Sequence, residues 1–189
     1  MWFELNRRGI IEIRQVIDWS YTRSEIIHDK IDVVVISLGG MISAIAMAVD
    51  KRIKEGIFIT IGGNLEELGW GDNSAGNQVG YNCTREECRA VYSQYHDYLL
   101  EVAEKWLESV HPAKECFLID PLTFARYLQG RPILMINGKN DEIVSERSTL
   151  ALWEACHKPR LTWIPGTYAG TYSQTTLIST EIIKFINLI

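Results

Sequence analysis

The chain has 189 residues, 47% of them hydrophobic and 23% charged, with a net charge of −5. That size and usage fit one folded domain over residues 1–189 and exclude a disordered chain. No basic stripe marks a nucleic-acid partner. Charges cut the apolar runs short of membrane-spanning length, so no membrane partner is expected. The first eight residues lack the apolar core of a signal peptide, which makes a cytoplasmic location the expectation.

Residues 10–19 are apolar at Ile10, Ile13, Val16 and Ile17 and charged between them, a helical period. The β-branched run 32–36 predicts a strand, and the almost wholly apolar stretch 40–49 a buried helix. Residues 57–61 predict a second strand, closed by Gly62-Gly63-Asn64. Residues 64–82 are rich in Gly and Asn and read as a loop with Trp70 in its middle. Thr84 and Glu87 then form a capping box. It opens one long helix to about residue 110, with Cys88, Val91, Tyr92, Tyr95, Leu99, Val102, Ala103, Trp106 and Val110 on its apolar face. Asp120-Pro121 opens a short helix. Residues 133–137 predict a third strand, 148–156 a helix, 161–164 a fourth strand, and the end of the chain a helix apolar at Ile178, Ile182, Phe185, Ile186 and Ile189. Strands alternating with helices imply a parallel sheet with helices on both faces.

The four cysteines form no disulfide framework. Cys83 and Cys88 have four residues between them, at the wide end of the usual zinc spacing, and lack a second pair, so thiols rather than a metal site are expected. Asn82-Cys83-Thr84 is a glycosylation sequon, relevant only to a secreted chain. The glycine motifs that cradle nucleotides are absent from the sequence. No cofactor and no metal are expected.

Functional groups collect at the carboxyl ends of parallel strands. Here those ends carry Ser37, then Gly62-Gly63-Asn64, then Asp141, then Gly166-Thr167-Tyr168-Ala169-Gly170. Ser37 follows a strand and precedes glycines and a helix. That is the strand–turn–helix setting of a nucleophile elbow, G-x-S-x-G, with Val35 in place of the first glycine. The glycines after Ser37 are expected to let helix and strand approach closely. The competing view of Ser37 is a tight-turn serine that caps the following helix.

These segments resemble the C-terminal part of an α/β-hydrolase over roughly residues 9–189. Ser-Leu-Gly-Gly-Met with its buried helix carries the resemblance. So do Gly-Arg-Pro-Ile-Leu-Met-Ile-Asn-Gly ending in Asp141-Glu142-Ile143-Val144, and Leu-Thr-Trp-Ile before Pro-Gly. The resemblance implies a shortened α/β-hydrolase-like fold with a helical cap insertion at about 64–120. It implies Ser37 as nucleophile, Asp141 as triad acid and Leu38 N–H as oxyanion donor. Gly63, Asn64 and Trp70 are the candidate substrate-binding residues.

Two departures stand out. Tyr168 occupies the place of the expected histidine. His28, His96, His111 and His157 lie elsewhere, and only His96 and His111 belong to the cap. An ordinary tyrosine is ionised about one part in a thousand at neutral pH, and loss of a triad base costs about 10⁴ to 10⁶ in rate. The early strands, and with them the loop that gives the second oxyanion donor, have no counterpart; that donor is expected from the cap, a partner chain or a water. The implied function is a weak or impaired serine hydrolase of small-molecule carboxylic esters. The alternative is a non-catalytic hydrolase-like binding or assembly protein. Because the strand at 32–36 would be an open edge, a homodimer through this strand or the N-terminal helix is expected.

Overall fold

The computed structural model describes residues 2–70 and 84–187. Four parallel strands lie in the order β1 (Ile31–Ile36), β2 (Ile53–Ile59), β3 (Ile133–Gly138) and β4 (Arg160–Ile164). Each crossover carries helix, as parallel pairing requires. On one face lie α1 (Trp2–Ser20) and α2 (Leu38–Val49), packed over Ile53, Phe58, Ile133 and Met135. On the other, α9 (Thr175–Ile186) sets Ile178 and Phe185 against Ile57, Ile59, Leu134, Ile136 and Ile164. The alternation of these residues along β2 and β3 is the two-residue period of a strand buried on both sides.

Helix α1 begins earlier than the periodicity from Ile10 indicates. Its buried stripe extends one turn toward the N-terminus to Asn6, which is 2% exposed. Gly9 lets α1 cross α2 closely; a side chain there would meet Ile42 Cγ2 at 2.9 Å. At the far end of the crossing, Asp50 caps α2. Its carboxylate accepts hydrogen bonds from Arg52 Nε (2.9 Å), Arg52 Nη2 (2.6 Å) and Arg14 Nε (3.4 Å), while Arg52 Nη1 reaches Asp18 of α1 (2.7 Å).

The segment between β2 and β3 is helical. It holds α3 (Leu65–Trp70), α4 (Arg85–Tyr92), α5 (Tyr95–Lys105) and α6 (Pro121–Phe124), with 3-10 turns at Leu107–Ser109, Glu115–Ile119 and Ala125–Leu128. The expected loop over 64–82 is therefore helical at its start. The rest of it, with the sequon residues Asn82 and Cys83, lies outside the described residues. The capping box is present: Thr84 N–H donates to Glu87 Oε2 (2.7 Å) and Glu87 N–H to Thr84 Oγ1 (3.2 Å). The single helix expected to residue 110 is instead two. It breaks at Ser93-Gln94, where the Ser93 hydroxyl donates to Ala90 O, and ends at Trp106 with φ 70°. The break turns Tyr92, Tyr95 and Tyr98 around Phe117. Trp106, expected on the apolar face, is 49% exposed and lies under the Arg126 guanidinium.

A short α7 (Glu146–Ala155) follows β3, and α8 (Tyr168–Tyr172) follows β4; Thr167 Oγ1 caps α8 by accepting from Gly170 N–H (3.0 Å). Among the described residues no helix is long and apolar enough to cross a membrane, and no group of three His, Cys, Asp or Glu is placed to hold a metal. Cys88 and Cys156 are buried, and burial pushes the Cys156 thiol up to about 12.

The Asp50 cluster sets an acid limit. Hydrogen bonds from Arg52 hold the Asp50 carboxyl at about 2, below the ordinary value of about 3.9. Stability from this group is present above pH 4 and is lost as pH falls toward 2. Asp50→Asn is expected to cost about 1–2 kcal/mol at pH 7, partial exposure of both arginines holding the figure down. The gap between variant and wild type should close between pH 4 and 2 in urea melts; a gap constant across that range would contradict the linkage.

Candidate active site at the carboxyl edge of the sheet

Ser37 links β1 directly to α2. Its N–H donates to Ile59 O (2.8 Å), which closes the β1–β2 ladder, and its carbonyl accepts from Gly40 and Met41. The backbone turns there with φ 53° and ψ −125°, a conformation rare for a side-chain-bearing residue. This is the sharp, strained turn of a nucleophile elbow. The side chain makes no capping hydrogen bond to α2, so Ser37 is not a helix-capping serine. Instead its Oγ accepts from the Tyr168 hydroxyl at 2.7 Å.

The glycines after Ser37 do not carry the close packing expected of them. A side chain at Gly39 would meet open space, and one at Gly40 would make ordinary contact with Ile61 at 3.7 Å. The crowded pair is Gly62-Gly63, where a Cβ would lie 2.2 Å from Ser148 Oγ and 2.5 Å from Leu122 Cγ. Beta-carbon space is scarce where β2 runs under the cap, not where α2 starts.

Two loops bring the later residues to the same edge. Lys139 N–H donates to Ile164 O (2.9 Å) and Asn140 N–H to Gly166 O (3.0 Å), so the turns after β3 and β4 run side by side. Glu142 Oε2 accepts the Tyr168 N–H at 2.8 Å and sets the start of α8. The Tyr172 ring meets Tyr168 edge-on at 5.1 Å, and its hydroxyl lies beside those of Ser37, Thr60 and Tyr168. Burial pushes the Tyr172 phenol up to about 12, so it stays a neutral donor near pH 7.

Asp141 is buried beyond β3, but it does not orient Tyr168. Its Oδ1 accepts from the N–H groups of Ile143 (2.9 Å) and Val144 (2.7 Å). Its Oδ2 is buried and accepts no hydrogen bond among the described residues. Burial pushes its pKa up while those two N–H donors pull it down. A tyrosine has no second polar atom with which to span Ser37 and Asp141 together, as the two nitrogens of an imidazole do. The expected serine–base–acid relay is interrupted between Tyr168 and Asp141 for that reason.

Ser37 opens on an apolar cavity of about 80 Å³. Leu38, Met41, Leu65, Leu68, Ile119 and Val144 supply apolar lining, and Asn6, Ser37 and Thr60 the polar lining. The expected binding residues lie elsewhere. Gly63 exchanges hydrogen bonds with Ser148, and Asn64 starts α3 by accepting from Glu67 and Leu68. Trp70 ends α3 and is not among the cavity walls; its Nε1 is buried without a hydrogen-bond partner among the described residues. Sequence reasoning missed Asn6, although it falls in register with Ile10, Ile13 and Ile17.

None of the histidines lines this cavity. His28 Nε2 pairs with the carbonyls of Ser20 and Arg23, and its ring stacks on Tyr21. His96 borders a separate groove with Glu66 and Arg89, and His111 and His157 are exposed.

Comparison with solved structures gives the fold. An esterase from Pyrococcus furiosus superposes with a TM-score of 0.60 at 14% identity, covering 94% of this chain and 61% of that one. A hypothetical protein from Pseudomonas aeruginosa matches with a TM-score of 0.57 at 18% identity, covering 92% and 65%. An α/β-hydrolase enzyme from a Medee basin deep-sea metagenome library matches with a TM-score of 0.54 at 17% identity, covering 94% and 70%. No protein-family model and no curated protein matches the sequence. The chain has an α/β-hydrolase-like fold and spans less than two thirds of the length of the first two of these structures.

Proposed function

We propose that this chain is a slow serine hydrolase of small carboxylic esters, with Ser37 as nucleophile and Tyr168 as its proton shuttle. The 2.7 Å contact between the Tyr168 hydroxyl and Ser37 Oγ, at a strained strand–helix turn facing an apolar cavity, carries this assignment. The cavity walls suit a short aliphatic acyl group.

In the first half-reaction Ser37 Oγ bonds to the carbonyl carbon, and the carbonyl electron pair moves onto its oxygen. As the ester binds, the Tyr168 O–H turns from Ser37 Oγ to the departing alcohol oxygen; the Ser37 proton then passes to the phenol oxygen as the phenolic proton goes to the alcohol. The tetrahedral species collapses to an acyl-serine and free alcohol. Water then attacks the acyl carbon along the same route, Ser37 regains a proton, and the acid leaves. The shuttle never needs free phenolate, but a neutral phenol is a weak base, which sets the slow rate. Leu38 N–H, at the first position of α2, has no intrahelical partner and supports the assignment as one oxyanion donor.

A fluorophosphonate probe is expected to label Ser37 within hours, and Ser37→Ala to abolish both labelling and hydrolysis of p-nitrophenyl acetate. An unlabelled wild-type chain would leave a hydrolase-like binding protein as the better account. Tyr168→His supplies an imidazole with a second nitrogen for an acid to orient, and is expected to raise ester hydrolysis at least about tenfold. Unchanged turnover in the folded variant would remove Asp141 from the assignment.

Assembly follows from the sheet. β1 is the edge of the described sheet, and Val34 and Ile36 are 53% and 46% exposed on the face that α9 leaves open. A second copy pairing along β1 would satisfy its outer backbone groups and cover both side chains. Light scattering at micromolar concentration should give a dimer mass that Val34→Lys halves; a monomeric wild type would overturn this.

A further inference from the structure

We infer that Asn6, on the N-terminal helix, is the second oxyanion donor of this site, placed in one cavity with Ser37 and the first residue of α2. The inference rests on the serine hydrolase proposal above.

An acyl-transfer site gains from two donors aimed at the oxygen that becomes negative. In this chain α2 offers one, the Leu38 N–H. Of the side chains that share the Ser37 cavity, Asn6, Ser37 and Thr60 are polar. Ser37 is the attacking group. Thr60 donates its hydroxyl to Ile59 O at 2.8 Å, which commits its single proton. Asn6 carries an amide with two N–H donors on one nitrogen, so it can serve an oxyanion while another group meets the rest of the amide.

The packing of α1 brings that amide there. Asn6 stands at the cavity end of the stripe that runs through Ile10, Ile13 and Ile17, and it is 2% exposed, while Leu5, Ile11, Val16 and Trp19 of the same helix face solvent. An aliphatic side chain at position 6 would continue the stripe without the cost of burying an amide. Gly9, one turn later, permits the close crossing on Ile42 that seats this end of α1 against α2. Phe3, one turn earlier, packs with Leu65, Leu68, Ile119 and Val144, the cavity walls. The end of α1 is thus held on both sides of Asn6. The cap, a partner chain and a water were the sources expected for this donor; α1 is none of them.

The test separates oxyanion stabilisation from packing. Asn6→Ala, the apolar near-isostere Asn6→Leu and the anionic isostere Asn6→Asp are compared by thermal melting and by p-nitrophenyl butyrate hydrolysis. They are also compared by inhibition with a trifluoromethyl ketone, which adds to Ser37 as a tetrahedral oxyanion. Folded variants are expected to lose about a hundredfold in kcat with KM within about twofold. Ketone affinity should fall in parallel with kcat, and most in Asn6→Asp, where a carboxylate faces the oxyanion. If Ala fails to fold, Leu and Asp decide. Wild-type labelling of Ser37 with kcat and ketone affinity unchanged in folded variants overturns the Asn6 role alone. A change confined to KM overturns it too. An unlabelled wild type overturns the hydrolase proposal, and this one with it.

Discussion

The Asp120 carboxylate is the joint on which the cap and the site both depend. It is fully buried, and it accepts from the N–H groups of Asn64 (3.1 Å), Leu65 (2.8 Å) and Leu122 (3.0 Å) and from the Tyr92 hydroxyl (3.4 Å). One side chain therefore caps α3 and α6 together and holds α4 over both. Burial pushes its pKa up and these donors oppose the shift. A carboxylate can stay buried here because its lone pairs are met from several directions. The neighbouring Gly62 and Gly63 follow from the same crowding, since Ser148 and Leu122 fill the space a side chain would take. Because α3 and the turn at Glu115–Ile119 meet at Asp120, the apolar walls Leu65, Leu68 and Ile119 are fixed over Ser37.

The polar end of the cavity has a different logic. A hydrolase elbow normally presents its serine to an imidazole, which bonds serine with one nitrogen and an acid with the other. Here phenolic and aliphatic hydroxyls gather around Ser37, and the acid stands apart with Oδ2 unmet among the described residues. A phenol can pass a proton but cannot hold a positive charge for Asp141 to stabilise. The turn at Ser37 has the strained geometry of a nucleophile elbow, while among the described residues no charged base–acid pair adjoins it. The proposed slow rate follows from that chemistry.

Helix α1 gives the sheet face its cover and the site its amide. Its stripe Ile10, Ile13 and Ile17 packs on the core, its Arg14 and Asp18 tie to the Asp50 cluster, and its first turns reach the cavity. Among the described residues no helix packs over the opposite face of β1, where Val34 and Ile36 are exposed. One strand thus carries both the turn proposed as catalytic and the edge proposed for association.

Local sequence determined the strands and most helices of this protein, because hydrophobic period and capping chemistry act within a few residues. The β-branched run before Ser37, the Thr84–Glu87 box and the Asp120-Pro121 start all form as their residues dictate. It also brought Ser37, Asp141 and Tyr168 to one edge of the sheet, since parallel topology sends every strand's carboxyl end the same way. Tertiary structure decided what those residues touch. Asp141 turns to the N–H groups of Ile143 and Val144, Tyr168 reaches Ser37, Gly63 and Asn64 bond to Ser148 and Glu67, and Trp70 stays outside the cavity lining. The short helices α3 and α8 escaped a reading of period because each is too brief to show one. Asp120, 55 residues away from Leu65, caps the first. Asn6 escaped it because a polar residue on an apolar stripe gains meaning only once the helix crossing shows which cavity it enters.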